Sequence, residues 1–226
     1  MDYITASIKV LYDRVSNFFD FKEIHDIIME NIDNNENSDN HIIMIEPSTL
    51  NILPYENNDL VSLKNNRVYE KLSTLQQLSW FFTEPTFILD NIFIGSAHNA
   101  ANKKLLDRLN IKFIINVTAE ITNYYEDEIE YANYMIYDDN KQSIYKYLED
   151  SYKKIKEFQR KNNGAILIHC FMGASRSATI LAYYLMKEHN MNVKDAYDFI
   201  KNKRNLVNPT HKFYDELNWI SQHQTR

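Results

Sequence analysis

The chain has 226 residues and a formal charge of −6, with 44% apolar and 25% charged residues. That length allows one ordinary domain plus an appendage, and the composition excludes wholesale disorder. The acidic balance argues against nucleic-acid binding through a basic surface, and no apolar stretch approaches the ~20 residues of a membrane span.

The first residues, Met1-Asp2-Tyr3-Ile4, lack the basic start and apolar run of a secretory signal, and Cys170 is the single cysteine. No internal disulfide can form, so a reducing home is expected, cytoplasmic or nuclear. Residues 1–80 carry 6 Lys+Arg against 13 Asp+Glu, whereas residues 81–226 carry 19 against 18. The acidity belongs to the N-terminal third. Apolar residues there, at Ile8, Leu11, Val15, Phe18, Phe19, Ile24 and Ile27, recur at mixed three- and four-residue intervals and predict amphipathic helix packed on the rest of the protein. From Asn31 to Asn66 the sequence is rich in Asn and acid with Pro47 and Pro54, which reads as a loop-rich or disordered linker. Residues 1–78 are therefore expected to form an acidic extension, and residues 79–226 a single domain.

From Phe81 onward short apolar runs alternate with helical patterns. Strands are predicted at Asn91–Ile94, Ile111–Val117, Asn133–Tyr137 and Ala165–His169. Helices are predicted over His98–Leu109, Ile144–Lys161, Ala178–Glu188, Val193–Lys203 and Thr210–Gln222. Alternation of this kind predicts an α/β domain with a central, mostly parallel sheet flanked by helices.

The segment Ile168-His169-Cys170-Phe171-Met172-Gly173-Ala174-Ser175-Arg176-Ser177 joins the last predicted strand to an apolar helix. A loop running from a strand into a helix N-terminus turns successive N–H groups inward, and the helix dipole adds positive potential, which makes a cradle for a phosphate dianion. The same field favours a thiolate, so Cys170 is a candidate nucleophile. Arg176 can clamp two phosphate oxygens through its planar fork, and Gly173 lets the backbone approach the ligand. Phe171, Met172, Gly173, Ala174, Ser175 and Arg176 are the candidate substrate-binding residues.

This segment, with about 140 residues around it, resembles the catalytic domain of dual-specificity phosphatases within the protein tyrosine phosphatase superfamily. The His-Cys, five residues, Arg-Ser pattern carries the resemblance, and Ser175-Arg176-Ser177-Ala178-Thr179 is similar to the MAP kinase phosphatase branch. Ile94-Gly95-Ser96-Ala97, Ile115-Asn116-Val117-Thr118, Leu181-Ala182-Tyr183-Tyr184-Leu185-Met186 and Asn208-Pro209 add separated matches in the same order, while Phe171 and Met172 depart from the usual pattern. The resemblance implies a tyrosine-phosphatase-like fold and hydrolysis of phosphotyrosine, phosphoserine and phosphothreonine on a phosphorylated protein substrate, with no cofactor. It implies that Cys170 forms a cysteinyl phosphate, that Arg176 holds the oxygens, and that the Ser177 hydroxyl helps the thiolate leave. It further implies an aspartate general acid about 30 residues before the cysteine, for which Asp138 and Asp139 compete. Asp138 is chosen because the family's acid lies in phase with the apolar residues of its strand, as Asp138 does with Tyr134 and Ile136, and about six residues before the apolar position that Ile144 fills at the helix start, with Ser143 as a plausible cap.

Other readings weigh less. His169 beside one cysteine makes no metal site, and its expected role is to orient the loop and tune the thiol. Asn116-Val117-Thr118 matches a glycosylation sequon, yet reads better as a strand end. Lys64-Asn65-Asn66-Arg67-Val68-Tyr69 is loosely similar to the pocket-deepening loop of classical tyrosine phosphatases and is taken as coincidence. Without such a loop the pocket should be shallow. Action on phosphoinositides or RNA 5′-phosphate ends is the alternative chemistry, and lipid-directed relatives usually carry lysine in the loop, where residues 171–175 have none. A silent phosphoprotein binder would be expected to lack Cys170 or Arg176.

Overall fold

The computed structural model describes residues 80–138, 141–161 and 164–223. The expected extension at residues 1–78 lies outside them. The run Ala165–His169 is buried at every position and forms the central strand, β5, as a continuous apolar run between two covered faces should. Around it lie β1 (Thr86–Leu89), β2 (Ile92–Gly95), β3 (Ile111–Asn116) and β4 (Glu130–Asn133), in the order β1-β2-β5-β3-β4. All neighbours pair in parallel except β1 with β2. The sheet is therefore mostly parallel, as expected.

Helices cover both faces: α1 (Ala97–Ala101), α2 (Lys103–Arg108), α3 (Tyr145–Lys161), α4 (Arg176–His189), α5 (Val193–Lys203) and α6 (His211–His223). Alternation along β5 divides the core. Ile166 and Ile168 join the larger cluster with residues of α3, α4, α5 and α6, while Ala165 and Leu167 join Ala100 and Leu106 on the other face. The first ten residues of α4, Arg176 to Leu185, are all buried. A helix enclosed on every side has little freedom to move, and its N-terminus is consequently a fixed point under the loop that precedes it.

Several local expectations change. A strand was expected to begin the domain at Asn91, but β1 precedes it and pairs with β2 through Asp90 and Asn91, whose φ angles are 50° and 59°. Two adjacent left-handed residues of these types form a tight hairpin turn of the primed kind. The single helix expected over His98–Leu109 is two, because Asn102 interrupts it and accepts a bond from Leu105 N with its own side chain at 3.2 Å. The strand expected at Asn133–Tyr137 lies earlier, at β4, and residues 134–137 run on beyond the ladder. Their alternation nonetheless persists: Tyr134 and Ile136 are buried, Met135 and Tyr137 exposed.

Candidate active site

The loop of residues 170–175 leaves β5 and enters α4. Its shape follows from where its carbonyls go. His169 O accepts from Val117 N at 2.9 Å and Phe171 O from Ala97 N at 3.0 Å. Met172 O and Gly173 O accept from Arg204 Nη2 and Nε at 3.0 and 2.9 Å. Ala174 O accepts from Asn208 N at 3.0 Å, and Ser175 O from the Thr179 hydroxyl at 2.9 Å. With these carbonyls held by partners on the outside, the amide N–H groups are left facing the inside, where an anion would be cradled. Gly173 is required at its place. Its φ is +72°, and a Cβ there would collide with the Gly95 carbonyl oxygen and lie 3.0 Å from Arg204 Nη2.

Cys170 sits at the bottom, 2% exposed. Gly173 N–H points at Sγ from 3.3 Å, and Ser177 Oγ lies 3.2 Å from it. Burial by itself pushes this thiol up. The Arg176 guanidinium, the Ser177 hydroxyl and the Ser177 and Ala174 amides outweigh burial, and the pKa ends below the ordinary thiol value. His169, just before, is buried and pushed down to about 4, by burial first and by Arg176 in addition, so its ring is neutral near pH 7. Its Nδ1 lies 3.4 Å from Cys170 O, a long contact with the loop backbone.

Arg176 is buried, with Nη1 donating to Glu120 Oε1 at 2.7 Å and to Ile136 O at 2.9 Å. Burial works against its charge, but Cys170, Glu120 and Asp138 hold its pKa above the ordinary value. Its Nε is buried without a hydrogen-bond partner and stands 3.7 Å from Asp138 Oδ2. A guanidinium N–H in that state costs free energy until an acceptor arrives, as a phosphate oxygen would.

Asp138 is brought to the same place. Its Oδ1 accepts from the Ser175 hydroxyl at 2.9 Å. Asp139 lies outside the described residues. Ser143 does meet the start of α3, with Tyr145 N donating to its hydroxyl at 3.2 Å, but Glu216 of α6 does more of the capping, accepting from Ile144 N and Tyr145 N at 2.9 and 3.1 Å.

Three site residues escaped the sequence reading. Glu120 reaches Arg176 because the loop after β3 is folded around Asn116, whose amide donates to Ile121 O at 2.8 Å and whose carbonyl accepts from Thr118 at 2.7 Å. The sequon residues are thus a buried hub. Arg204, just past α5, was invisible because nothing in Lys203-Arg204-Asn205 marks a buried arginine. Phe81 packs its ring 5.3 Å from that of Phe171 and hands its carbonyl to Ser96 Oγ at 2.6 Å, so residues before the first strand belong to the loop's support.

Comparison with known proteins points to one family. Over 133 residues the chain is 38% identical to the human protein phosphatase Slingshot homolog 2, covering 59% of this chain and 9% of that protein. Over 138 residues it is 37% identical to a Dictyostelium discoideum protein named a probable rhodanese domain-containing dual specificity protein phosphatase, covering 61% and 29%. The chain thus spans well under two thirds of these relatives. The crystal structure of DUSP15 superposes with a TM-score of 0.59 at 26% identity, covering 63% of this chain and 90% of that one. The sequence model of the dual specificity phosphatase catalytic domain matches residues 92–223, a stretch that holds Cys170, Arg176 and Asp138, and the chain accordingly belongs to the dual specificity phosphatase family.

Proposed function

We propose that this chain hydrolyses phosphotyrosine, phosphoserine and phosphothreonine on protein substrates through a cysteinyl phosphate. The observation that carries the reading is the outward pinning of the loop carbonyls around a thiol whose pKa is drawn below its ordinary value by Arg176, Ser177 and the loop amides. The Cys170 thiolate attacks phosphorus as the bond to the seryl, threonyl or tyrosyl oxygen breaks, and the electron pair leaves with that oxygen. Asp138 gives the oxygen its proton. Arg176 and the loop amides hold the three remaining phosphoryl oxygens. Water then attacks the phosphocysteine, Asp138 takes the proton back, and Ser177 Oγ donates to the departing sulfur.

The family membership and the intact pair of Cys170 and Arg176 favour turnover over silent binding. The absence of lysine from residues 171–175 disfavours a phosphoinositide substrate. A thiolate nucleophile works only while reduced, so the proposed setting is the cytoplasm or nucleus. No helix among the described residues is long and apolar enough to cross a membrane. The test is hydrolysis of an aryl phosphate and of a panel of singly phosphorylated peptides. Turnover on all three phosphoresidues, abolished in a folded Cys170→Ser variant, is expected. Retained turnover in that variant would overturn the mechanism. Asp138→Asn should slow a substrate with a poor leaving group by ~10²-fold or more, the scale of lost acid catalysis, while Asp139→Asn should have a mild effect.

A further inference from the structure

The Ser175 hydroxyl has two neighbours, an amide that can only donate and a carboxyl group. Thr210 N–H is a donor and nothing else, and it points at Ser175 Oγ from 3.3 Å. With a lone pair of that oxygen engaged, the hydroxyl proton is directed to its other partner, Asp138 Oδ1, at 2.9 Å. Asp138 Oδ2 is turned the other way, toward the Arg176 Nε that has no hydrogen-bond partner. We propose that Ser175, oriented by the Thr210 amide, is the positioning residue of the general acid: it occupies Oδ1, so that the transferable proton resides on Oδ2, the oxygen beside the phosphate clamp. This rests on the phosphatase reading given above.

The argument is one of exclusion within a carboxyl group. A protonated carboxyl keeps one hydroxyl and one carbonyl oxygen, and the carbonyl oxygen is the better acceptor for a hydroxyl donor. A Ser175 proton aimed at Oδ1 therefore disfavours protonation there. The proton on Oδ2 passes to the leaving oxygen as its bond to phosphorus breaks. In the second step the same Oδ2 accepts a proton from water while Oδ1 still accepts from Ser175. The carboxyl group need not rotate between steps.

The far side of the acid segment is also held. Lys212 Nζ donates to Lys141 O, and Glu216 accepts from Ile144 N and Tyr145 N. Helix α6 thus fastens residues 141–145, and the residue just before α6 aligns Ser175. Both ends of the stretch that carries Asp138 are referred to one element. Ser175 is 5% exposed, so its own hydroxyl is shielded from water.

Alanine at 175 removes the donor to Asp138 while leaving the carboxyl group in place, so its signature is a change in leaving-group dependence. The measurement is kcat for phenyl phosphate and for 2,4-dinitrophenyl phosphate, whose leaving group needs almost no protonation. In Ser175→Ala the phenyl phosphate rate should fall about 10-fold further than the dinitrophenyl rate, the scale of a misaligned catalytic group. Adding Ser175→Ala to Asp138→Asn should not enlarge the ratio already shown by Asp138→Asn. Ser175→Gly removes the same hydroxyl without placing a methyl group against the loop, and should give the same ratio. Equal loss on both substrates in the two variants, or ratios that multiply in the double variant, would overturn the inference and make Ser175 a purely structural tie. A wild-type chain that turns over neither aryl phosphate would overturn the phosphatase reading itself. Normal wild-type turnover with a leaving-group effect at Asp138 but none at Ser175 would overturn the inference alone.

Discussion

Arg204 offers a case in which stability and function should respond differently to one change. Its guanidinium is buried, and its three recorded hydrogen bonds go to neutral oxygens: Gly173 O, Met172 O and the Thr86 hydroxyl. Burial pushes its pKa down to about 10 from 12.5, with Cys170 opposing. A shift of that size corresponds to roughly 3 kcal/mol of unfavourable burial of the charge. Arg204→Met keeps much of the stem, relieves that cost and leaves two buried carbonyls without partners, at roughly 1–3 kcal/mol each. The terms largely oppose, and the expected net loss of unfolding free energy is only about 0–3 kcal/mol. Oxyanion binding has no such compensation. The Met172 and Gly173 carbonyls are what Arg204 holds outward, and losing one charge-assisted amide bond to the anion costs roughly 1.5–3 kcal/mol, or more than 10-fold in affinity. Urea unfolding and inhibition by vanadate, measured on the same preparation, separate the two. A variant that binds vanadate as tightly as the wild type would refute the role given to Arg204.

Three further outcomes are expected. His169 titrates near 4 when folded against 6.5 when unfolded, so between these values the unfolded chain binds the extra proton. Stability should be undiminished by this group above pH 6.5 and should fall by about 3 kcal/mol as pH drops through the window, levelling below pH 4. Urea midpoints compared with those of His169→Gln should show that slope flattened in the variant. Gly173→Ala places a methyl group against the Gly95 backbone at a φ of +72°, and should lower vanadate affinity more than about 10-fold, as judged by inhibition titration. A chain beginning at Leu78 should keep its turnover of aryl phosphate, whereas one beginning at Glu84 loses Phe81 and with it about 3 kcal/mol, the scale of a buried phenyl ring, visible as a lowered urea midpoint.

The parts of this site that could be read from sequence share one property: they are local. Cys170, Gly173 and Arg176 sit within seven residues, and a strand feeding a helix fixes their relation almost without help from elsewhere. Asp138 was reachable as a candidate because the alternation of Tyr134 and Ile136 runs past the end of β4, although Asp138 itself is exposed and is tied to the site by Ser175 rather than by burial. Glu120 and Arg204 meet the loop across 56 and 31 positions of sequence, by routes that depend on how Asn116 folds one connection and how α5 ends. No periodicity reports such meetings. The early hairpin is a different kind of miss. Asp90-Asn91 carried a usable turn signal, but the four-residue strand before it includes Thr86 and follows Pro85, which weakened the apolar pattern. The helix broken at Asn102 was missed for the opposite reason, since Ala101, Leu105 and Leu109 keep a helical rhythm across the interruption.

The loop's outward bonds have a bearing on how this protein loses its chemistry. Their partners come from the start of α1, the residue after β3, the end of α5, the approach to α6 and the first turn of α4. The six-residue cradle and the strand end before it take most of their conformation from five supports at once. Partial opening at any one of them should release a carbonyl, let a peptide plane turn and spoil the amide ring while most of the sheet persists. Amide hydrogens of residues 173–175 should then exchange at the rate of the least stable of these supports, ahead of those in β5. Under mild denaturant, activity should fade before circular dichroism changes, making enzymatic turnover a more sensitive gauge of native structure than spectroscopy.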